Sequence, residues 1–247
     1  MTRGRFTLLI PALLLAALLL TGAYRWWAHP ASAGCSGAGP RAVGAAVPVQ
    51  GGLAVAEQGF SRVGGWSFSA GALVVDRSPE WAAYRTTVSL RLLDSSGGVV
   101  VALPERTLPM VLPGSRLPVG AVIEVAPDRA ASVAGFSLAF GTTHWVRPEP
   151  WNPLFRRFDV LPEPDGPGAP DFLLPANMGP VACEGLSPAG AALVYRNGAG
   201  AVIGGEGVAY SGEYCAGTHA GDTVTAAHMP PTTDPPRTEI AIYCDVG

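Results

Sequence analysis

The chain has 247 residues, of which 48% are hydrophobic and 14% are charged, with 32 glycines and 24 prolines. So few charged residues exclude a disordered acidic protein, and the glycine and proline content favours short strands joined by turns over long helices. The 16 basic residues, all arginine, are outnumbered by 19 acidic ones, so the net charge of −3 argues against a nucleic-acid partner.

An uncharged, apolar stretch runs from Phe6 to Tyr24 and follows two basic residues, Arg3 and Arg5. A helix of this length would span roughly 28 Å at about 1.5 Å per residue, close to the hydrocarbon thickness of a bilayer. We therefore expect residues 1–33 to form an N-terminal transmembrane or signal helix. The membrane is the first predicted partner, and the remainder of the chain is predicted to lie outside the cytoplasm.

Two features of this segment support opposite fates. Tyr24, Trp26 and Trp27 would form an aromatic belt at the membrane interface, which favours a retained single-pass anchor. Ala31-Ser32-Ala33 is an A-x-A cleavage site, which favours a signal peptide and a secreted product. Thr21-Gly22-Ala23 is a second such site, so the sequence leaves both fates open.

Short apolar runs alternate with turn residues after a linker at 34–50, which is rich in small residues, Gly and Pro. Val88, Leu90 and Leu92 alternate with polar residues, which places them on one face of a strand. The seven candidate strands are Leu53–Gln58, Trp66–Asp76, Thr86–Asp94, Val99–Leu103, Leu108–Leu112, Val119–Val125 and Phe136–Gly141. This spacing predicts an antiparallel β-sandwich over residues 51–147.

Proline is too dense in residues 148–170 for a central strand or a helix interior. We expect a stiff linker there, followed by a second domain at 171–247. The aromatic residues in and beside this linker are Trp145, Trp151, Phe155 and Phe158. They are interpreted as packing at an interdomain interface, and the alternative is that they line a ligand-binding groove.

Two blocks of the first predicted domain recur in the second at nearly one offset. Asp94-Ser95-Ser96-Gly97-Gly98-Val99-Val100 aligns without gaps on Asn197-Gly198-Ala199-Gly200-Ala201-Val202-Ile203, 103 residues later. Phe136-Ser137-Leu138-Ala139-Phe140 aligns on Ile240-Ala241-Ile242-Tyr243-Cys244, 104 residues later. The recurrence predicts a tandem duplication.

An apolar strand, a short Asp/Asn turn, a Val/Ile strand and a glycine-containing turn together resemble the FxLYD domain, an immunoglobulin-like β-sandwich of exported and surface proteins of prokaryotes. The first copy carries the pattern on Leu90-Arg91-Leu92-Leu93-Asp94, Gly98-Val99-Val100 and Leu112-Pro113-Gly114. The second carries it on Leu193-Val194-Tyr195-Arg196-Asn197, Gly200-Ala201-Val202-Ile203 and Gly204-Gly205. The first copy has Leu where the name-giving Tyr belongs, and the second lacks the Asp. The resemblance implies two immunoglobulin-like sandwiches, at about 53–147 and 171–247, and no enzymatic activity.

Motifs for catalysis or nucleotide binding are absent from the sequence, including G-x-S-x-G, H-E-x-x-H, the P-loop and the Rossmann glycines. His219, Asp222 and His228 form the only local His/Asp cluster. Metal binding needs convergent ligands, and the long spacing with Gly221 inside it favours polar loop residues. We therefore predict a protein that is not an enzyme, with no cofactor and no metal.

Three of the four cysteines, Cys183, Cys215 and Cys244, lie in the second copy. A small sandwich in an oxidising compartment commonly carries a disulfide. A bridge from Cys183 to Cys244 would close about 60 residues and contribute about 3–4 kcal/mol. We favour this pair, but Cys215 with either partner, with Cys35 or with another chain stays open.

The predicted fold class is all-β, with two antiparallel immunoglobulin-like sandwiches after the N-terminal helix. The predicted function is a non-catalytic cell-envelope or surface protein whose tandem modules act as spacers or bind an unidentified surface protein. The alternative is an exported ligand-binding protein with its site at the interdomain aromatic segment. A third hypothesis, an exported hydrolase or metal enzyme, requires His219 and His228 to cluster with carboxylates.

Overall fold

Antiparallel strands make up the folded body of the protein. A computed structural model describes residues 52–148, 163–164, 171–173, 186–209 and 223–246, which all belong to one compact unit, Gly37–Gly247. No α-helix occurs in these ranges, and every paired strand is antiparallel. The predicted segments 1–33 and 34–50 and most of 148–170 lie outside the described residues.

Fourteen strands follow one another along the described part of the chain. They are β1 (Leu53–Arg62), β2 (Ser67–Asp76), β3 (Ala82–Leu93), β4 (Val99–Ala102), β5 (Arg106–Val111), β6 (Arg116–Glu124), β7 (Gly135–Phe140), β8 (His144–Val146), β9 (Glu163–Pro164), β10 (Asp171–Leu173), β11 (Leu186–Arg196), β12 (Val202–Val208), β13 (Thr223–Thr225) and β14 (Glu239–Val246). Short 3-10 helices lie at Ala130–Ser132 and Pro235–Arg237.

The seven strands predicted between residues 53 and 141 are confirmed as β1 to β7, with their ends moved by at most four residues. The largest shift at a strand start is at β3, which begins at Ala82 instead of Thr86. Arg85 inside it has a φ of +47°, a conformation that non-glycine residues rarely adopt. The alternation of apolar and polar side chains along a strand is interrupted at such a residue. The sequence pattern therefore predicted only the part of β3 that follows Arg85.

Strands β1 to β8 form two sheets. In sheet A, β3 is central, with β4 and β5 on one edge and β7 and β8 on the other. Sheet B has the order β1-β2-β6. Alternate residues of β2, from Phe68 to Val74, share one apolar core with Val88, Leu90 and Leu92 of β3. The predicted inward face of β3 is thus confirmed, because these three side chains are at most 1% exposed.

The aligned turns at Asp94 and Asn197 adopt the same hairpin conformation. Asp94 N–H donates to the Gly98 carbonyl at 2.8 Å, and Asn197 N–H donates to the Ala201 carbonyl at 3.0 Å. Gly97 and Gly200 both have a φ of +85°. The strand after each turn also carries an equivalent bulge, because the register shifts between Leu92 and Leu93 in one hairpin and between Tyr195 and Arg196 in the other. The recurrence seen in the sequence is therefore also a recurrence of backbone geometry.

Strands β9 to β14 form two further sheets, sheet C with the order β12-β11-β14 and sheet D with the order β9-β10-β13. In sheet C, β12 and β14 flank β11 as β4 and β7 flank β3 in sheet A. Leu193 and Tyr195 of β11 are fully buried. The centre of sheet C is thus covered on the face that carries these side chains.

A row of three glycines crosses sheet B and packs against β12. Gly59, Gly71 and Gly120 are paired neighbours on β1, β2 and β6. A Cβ atom on each would collide with the β12 backbone, at Val202, Gly204 and Glu206 in turn. Since β12 advances two residues for each strand that it passes, it crosses the strands of sheet B at a steep angle.

Backbone therefore lies on backbone where sheets B and C meet. A Cβ on Gly205 would lie 2.7 Å from the Cα of Gly71, whereas stacked sheets with ordinary side chains lie about 10 Å apart. Ser69 spans the contact, because its hydroxyl donates to the Gly205 carbonyl and accepts from the Gly205 N–H, both at 2.9 Å. Sheet C is held on sheet B by close packing and direct hydrogen bonds.

Candidate functional site

Glu206 is the only charged residue of β12, whose sequence is VIGGEGV. Its neighbours Gly205 and Gly207 face sheet B, where added Cβ atoms would meet Gly71 and the carbonyl of Gly120. Alternation along a strand sends the side chain of Glu206 to the opposite face. The glycine contact with sheet B thus fixes the backbone from which this carboxylate projects.

The Glu206 carboxylate is buried, with 5% of its side chain exposed, and both oxygens are hydrogen-bonded. Oε2 accepts the Tyr195 hydroxyl at 3.0 Å and the backbone N–H of His228 at 2.9 Å. Oε1 lies 3.1 Å from Nδ1 of His228. Burial, together with the charge of Glu206, raises the pKa of Tyr195 well above its usual value, so the phenol stays protonated and donates.

His228 is held at two points by one carboxylate, yet 42% of its side chain is exposed. With Nδ1 directed to Glu206, Nε2 has no hydrogen-bond partner among the described residues and can take another. A buried carboxylate behind an imidazole is the arrangement that orients histidines used as bases or metal ligands. Chemically, the cluster of Glu206, His228 and Tyr195 can present one oriented imidazole nitrogen.

The sequence pointed to His228 but not to its partner. His219 and Asp222, which completed the local cluster in the sequence, lie outside the described residues, and Glu206 comes from the strand before. The available signal was a lone carboxylate within a run of glycines and apolar residues, which is costly to bury without partners. No group of three or more His, Cys, Asp or Glu side chains among the described residues is placed to hold a metal ion.

A second charged cluster joins sheets B and C. Arg196 of β11 binds Glu57 of β1 at 2.6 Å and Glu239 of β14 at 2.6 Å, and Arg116 of β6 also pairs with Glu57. Arg196 is the buried centre, with 13% of its side chain exposed. Its hydrogen bond holds the pKa of Glu57 below the usual value. These two arginines and two glutamates bridge strands on either side of the glycine contact.

Asp76, at the end of β2, is a buried carboxyl on the face that packs against sheet A. It is 1% exposed, Oδ1 accepts the Ser78 N–H at 2.8 Å, and Oδ2 has no hydrogen-bond partner in the described structure. Burial raises its pKa to about 6. The backbone N–H of Arg77 beside it donates to the Gly52 carbonyl, so the carboxyl lies at the end of the pairing between β1 and β2.

The predicted aromatic site is described only at one residue. Trp145, on β8, is partly buried and packs against the core between sheets A and B. Trp151, Phe155 and Phe158 lie outside the described residues, so the proposed interface or groove stays a prediction.

Cys244 on β14 is buried and disulfide-bonded. The other three cysteines, including Cys183, lie outside the described residues. The predicted pairing of Cys183 with Cys244 therefore stays a prediction.

Comparison with known proteins gives no relative, because no family model and no curated protein matches the chain. Among the described residues, no helix is long and apolar enough to cross a membrane.

Proposed function

We propose that this chain is an exported, non-catalytic protein of the cell envelope whose β-sheet body is a rigid spacer or interaction module. The N-terminal segment would deliver it across the membrane or anchor it there. The observation that carries the proposal is the stacking of sheet C on the glycine row of sheet B. Two modules joined backbone to backbone transmit position and orientation, which suits a spacer better than two modules on a flexible tether.

The twin hairpins support the further proposal of two related, immunoglobulin-like sandwiches of the FxLYD type. In both, a central strand is flanked by the strand after the turn and by a later strand. The Arg196 cluster and the Ser69 hydrogen bonds would keep the two copies in one fixed arrangement.

Fractionation of cells that express the full chain tests the proposal. We expect the body to be accessible to protease added outside intact cells and to resist cleavage between residues 186 and 209. Sequencing the N-terminus of the native protein separates the two fates, since a start at Gly34 or Tyr24 would defeat the anchor hypothesis. A body found only in the cytoplasm would overturn the proposal.

A second candidate function is ligand binding at Nε2 of His228, favoured by the buried Glu206 carboxylate behind the ring. Zinc ion is a suitable probe, because imidazole nitrogen is one of its preferred ligands. We expect saturable zinc binding by the full chain, accompanied by a shift of the His228 ring resonances, and weaker zinc binding by His228→Gln. Equal binding by the variant would place the metal elsewhere and remove this candidate.

A further inference from the structure

The turn between β11 and β12 holds an Asn-Gly pair, Asn197-Gly198. Gly198 is exposed, and no acceptor for its N–H occurs among the described residues. The Asn197 side-chain oxygen instead accepts the N–H groups of Ala199 at 3.1 Å and Ala201 at 3.0 Å. The side-chain amide carbon of Asn197 therefore lies in the same turn as the backbone nitrogen of Gly198, whose N–H has no acceptor among the described residues.

We propose that Asn197 is a site of spontaneous deamidation that converts this hairpin into a charged form like the Asp94 hairpin. Asparagine is chemically labile in proteins, and a following glycine has no side chain to obstruct its own nitrogen. The reaction needs only water as co-reactant.

The bond changes are balanced in two steps. The Gly198 nitrogen attacks Cγ of Asn197, a new C–N bond closes a five-membered imide, and the side-chain nitrogen leaves as ammonia after gaining the Gly198 proton. Water then opens the imide. Opening at Cγ restores the backbone and gives aspartate, whereas opening at the backbone carbonyl gives isoaspartate.

The Asp94 hairpin shows that aspartate fits this turn. Asp94 Oδ1 accepts the N–H groups of Ser96 and Gly98, both at 2.8 Å, the same relative positions that Asn197 serves. A charged acceptor strengthens such bonds. The pKa of Asp94 is held below its usual value first by the Ser96 hydroxyl, for which Ala199 has no counterpart, and then by these N–H groups. Isoaspartate would add a backbone atom and break this geometry, so the folded turn favours aspartate as the product.

Two arginines reach this turn, and each also pairs with carboxylates, Arg196 with Glu57 and Glu239 and Arg237 with Asp234. Arg196 precedes Asn197 and donates to the Gly200 carbonyl. Arg237 reaches the same glycine, where an added Cβ would lie 3.5 Å from its Nη1. The charges of these guanidinium groups are thus already matched, and the N–H groups of Ala199 and Ala201 are the donors that would hold the new carboxylate.

The chain has internal controls for this chemistry. Its other asparagines are Asn152, followed by proline, and Asn177, followed by methionine. Proline has no N–H to lose, so Asn152 cannot form the same imide, and the side chain after Asn177 hinders attack. A Cβ added to Gly198 meets nothing within 4 Å, and its φ is not in the left-handed region, so Gly198→Ala keeps the turn and hinders only the nitrogen.

The test is incubation of the full chain, folded, in water labelled with heavy oxygen at mildly alkaline pH, followed by digestion in ordinary water and peptide mass spectrometry. We expect label at residue 197, mainly as aspartate, at a rate several-fold above that of Asn177 and several-fold lower in Gly198→Ala. Asn152 should stay unmodified.

Two results would overturn the proposal. One is conversion of Asn197 no faster than Asn177 in the folded chain, even if the unfolded chain reacts. The other is isoaspartate as the main product, which would mean that the turn does not select the Asp94 geometry. Asn197→Asp should keep the folded stability of the parent, and its unfolding would equally contradict the proposal.

Discussion

The two faces of sheet B are packed by opposite means. Towards sheet A, β2 presents Phe68, Ala70, Ala72 and Val74, whose side chains interlock with those of β3. Towards sheet C, it presents Gly71, which leaves backbone against backbone. A side-chain core tolerates changes that conserve volume, whereas a contact without side chains has no rotamer that can adjust. The glycine face therefore specifies position more strictly than the apolar face.

The largest effect is expected for Gly71→Ala. Its Cβ would collide with the backbone carbonyl of Gly204, which no side-chain rotation relieves. Overpacking costs about 1–3 kcal/mol even where side chains can move, so we expect more than about 3 kcal/mol here, measured by urea unfolding. Gly65→Ala is the matched control, because nothing lies within 4 Å of its Cβ. Equal stability of the two variants would refute a close contact of sheets B and C.

Truncating a side chain on the face towards sheet A is expected to lower the free energy of unfolding by about as much as a typical core cavity. Leu90 is fully buried in the core between sheets A and B, so Leu90→Ala should lower the unfolding free energy by about 2–5 kcal/mol. Leu90→Met conserves volume and should lose less than about 1.5 kcal/mol. If Leu90→Met were as unstable as Leu90→Ala, the face towards sheet A would not tolerate a change that conserves volume, contrary to this expectation.

The pH dependence of stability tests the role of Asp76, which lies at the end of β2 on the face towards sheet A. Its folded pKa of about 6 lies above the ordinary 3.8, so the native state holds more protons than the unfolded state between these values. The contribution of Asp76 to stability is therefore fully present below about pH 4 and is lost as the pH rises through about 6, a change of about 3 kcal/mol. Asp76→Asn should remove this contribution in denaturant titrations at several pH values.

Asp94→Asn is the control for that pH dependence. Asp94 lies at the surface, and its pKa is lowered first by the Ser96 hydroxyl and then by the backbone N–H groups of Gly98 and Ser96. Its contribution has the opposite sign, being present above the unfolded pKa and lost as the pH falls. If Asp76→Asn leaves the slope between pH 4 and 6 unchanged, the buried carboxyl is not the group that titrates.

Local pattern was enough to predict the apolar face but not the glycine face. Val88, Leu90 and Leu92 reveal their burial by alternation within one strand, and the Asp94 turn reveals its hairpin by composition. Gly71 and Gly204 are in contact but lie far apart in sequence. Taken alone, each glycine predicts only a turn or a weakened strand. Likewise, Glu206 meets His228 only because β12 is fixed on sheet B. Such pairings depend on how sheets stack, which no local pattern encodes.

The last effect is expected for Ser69→Ala, which removes the hydroxyl that spans the glycine contact. Both the N–H and the carbonyl of Gly205 would lose their partner in a buried place, which costs about 1–3 kcal/mol for each group. Ser61→Ala is the control, since Ser61 makes one hydrogen bond, to the Ile203 carbonyl at 2.6 Å, at a half-buried position. We expect it to lose about 0.5–1 kcal/mol. Urea unfolding of both variants separates the two cases. If Ser69→Ala lowers the free energy of unfolding no more than Ser61→Ala, then water reaches Gly205. The sheets would then lie further apart than the packing of Gly71 requires.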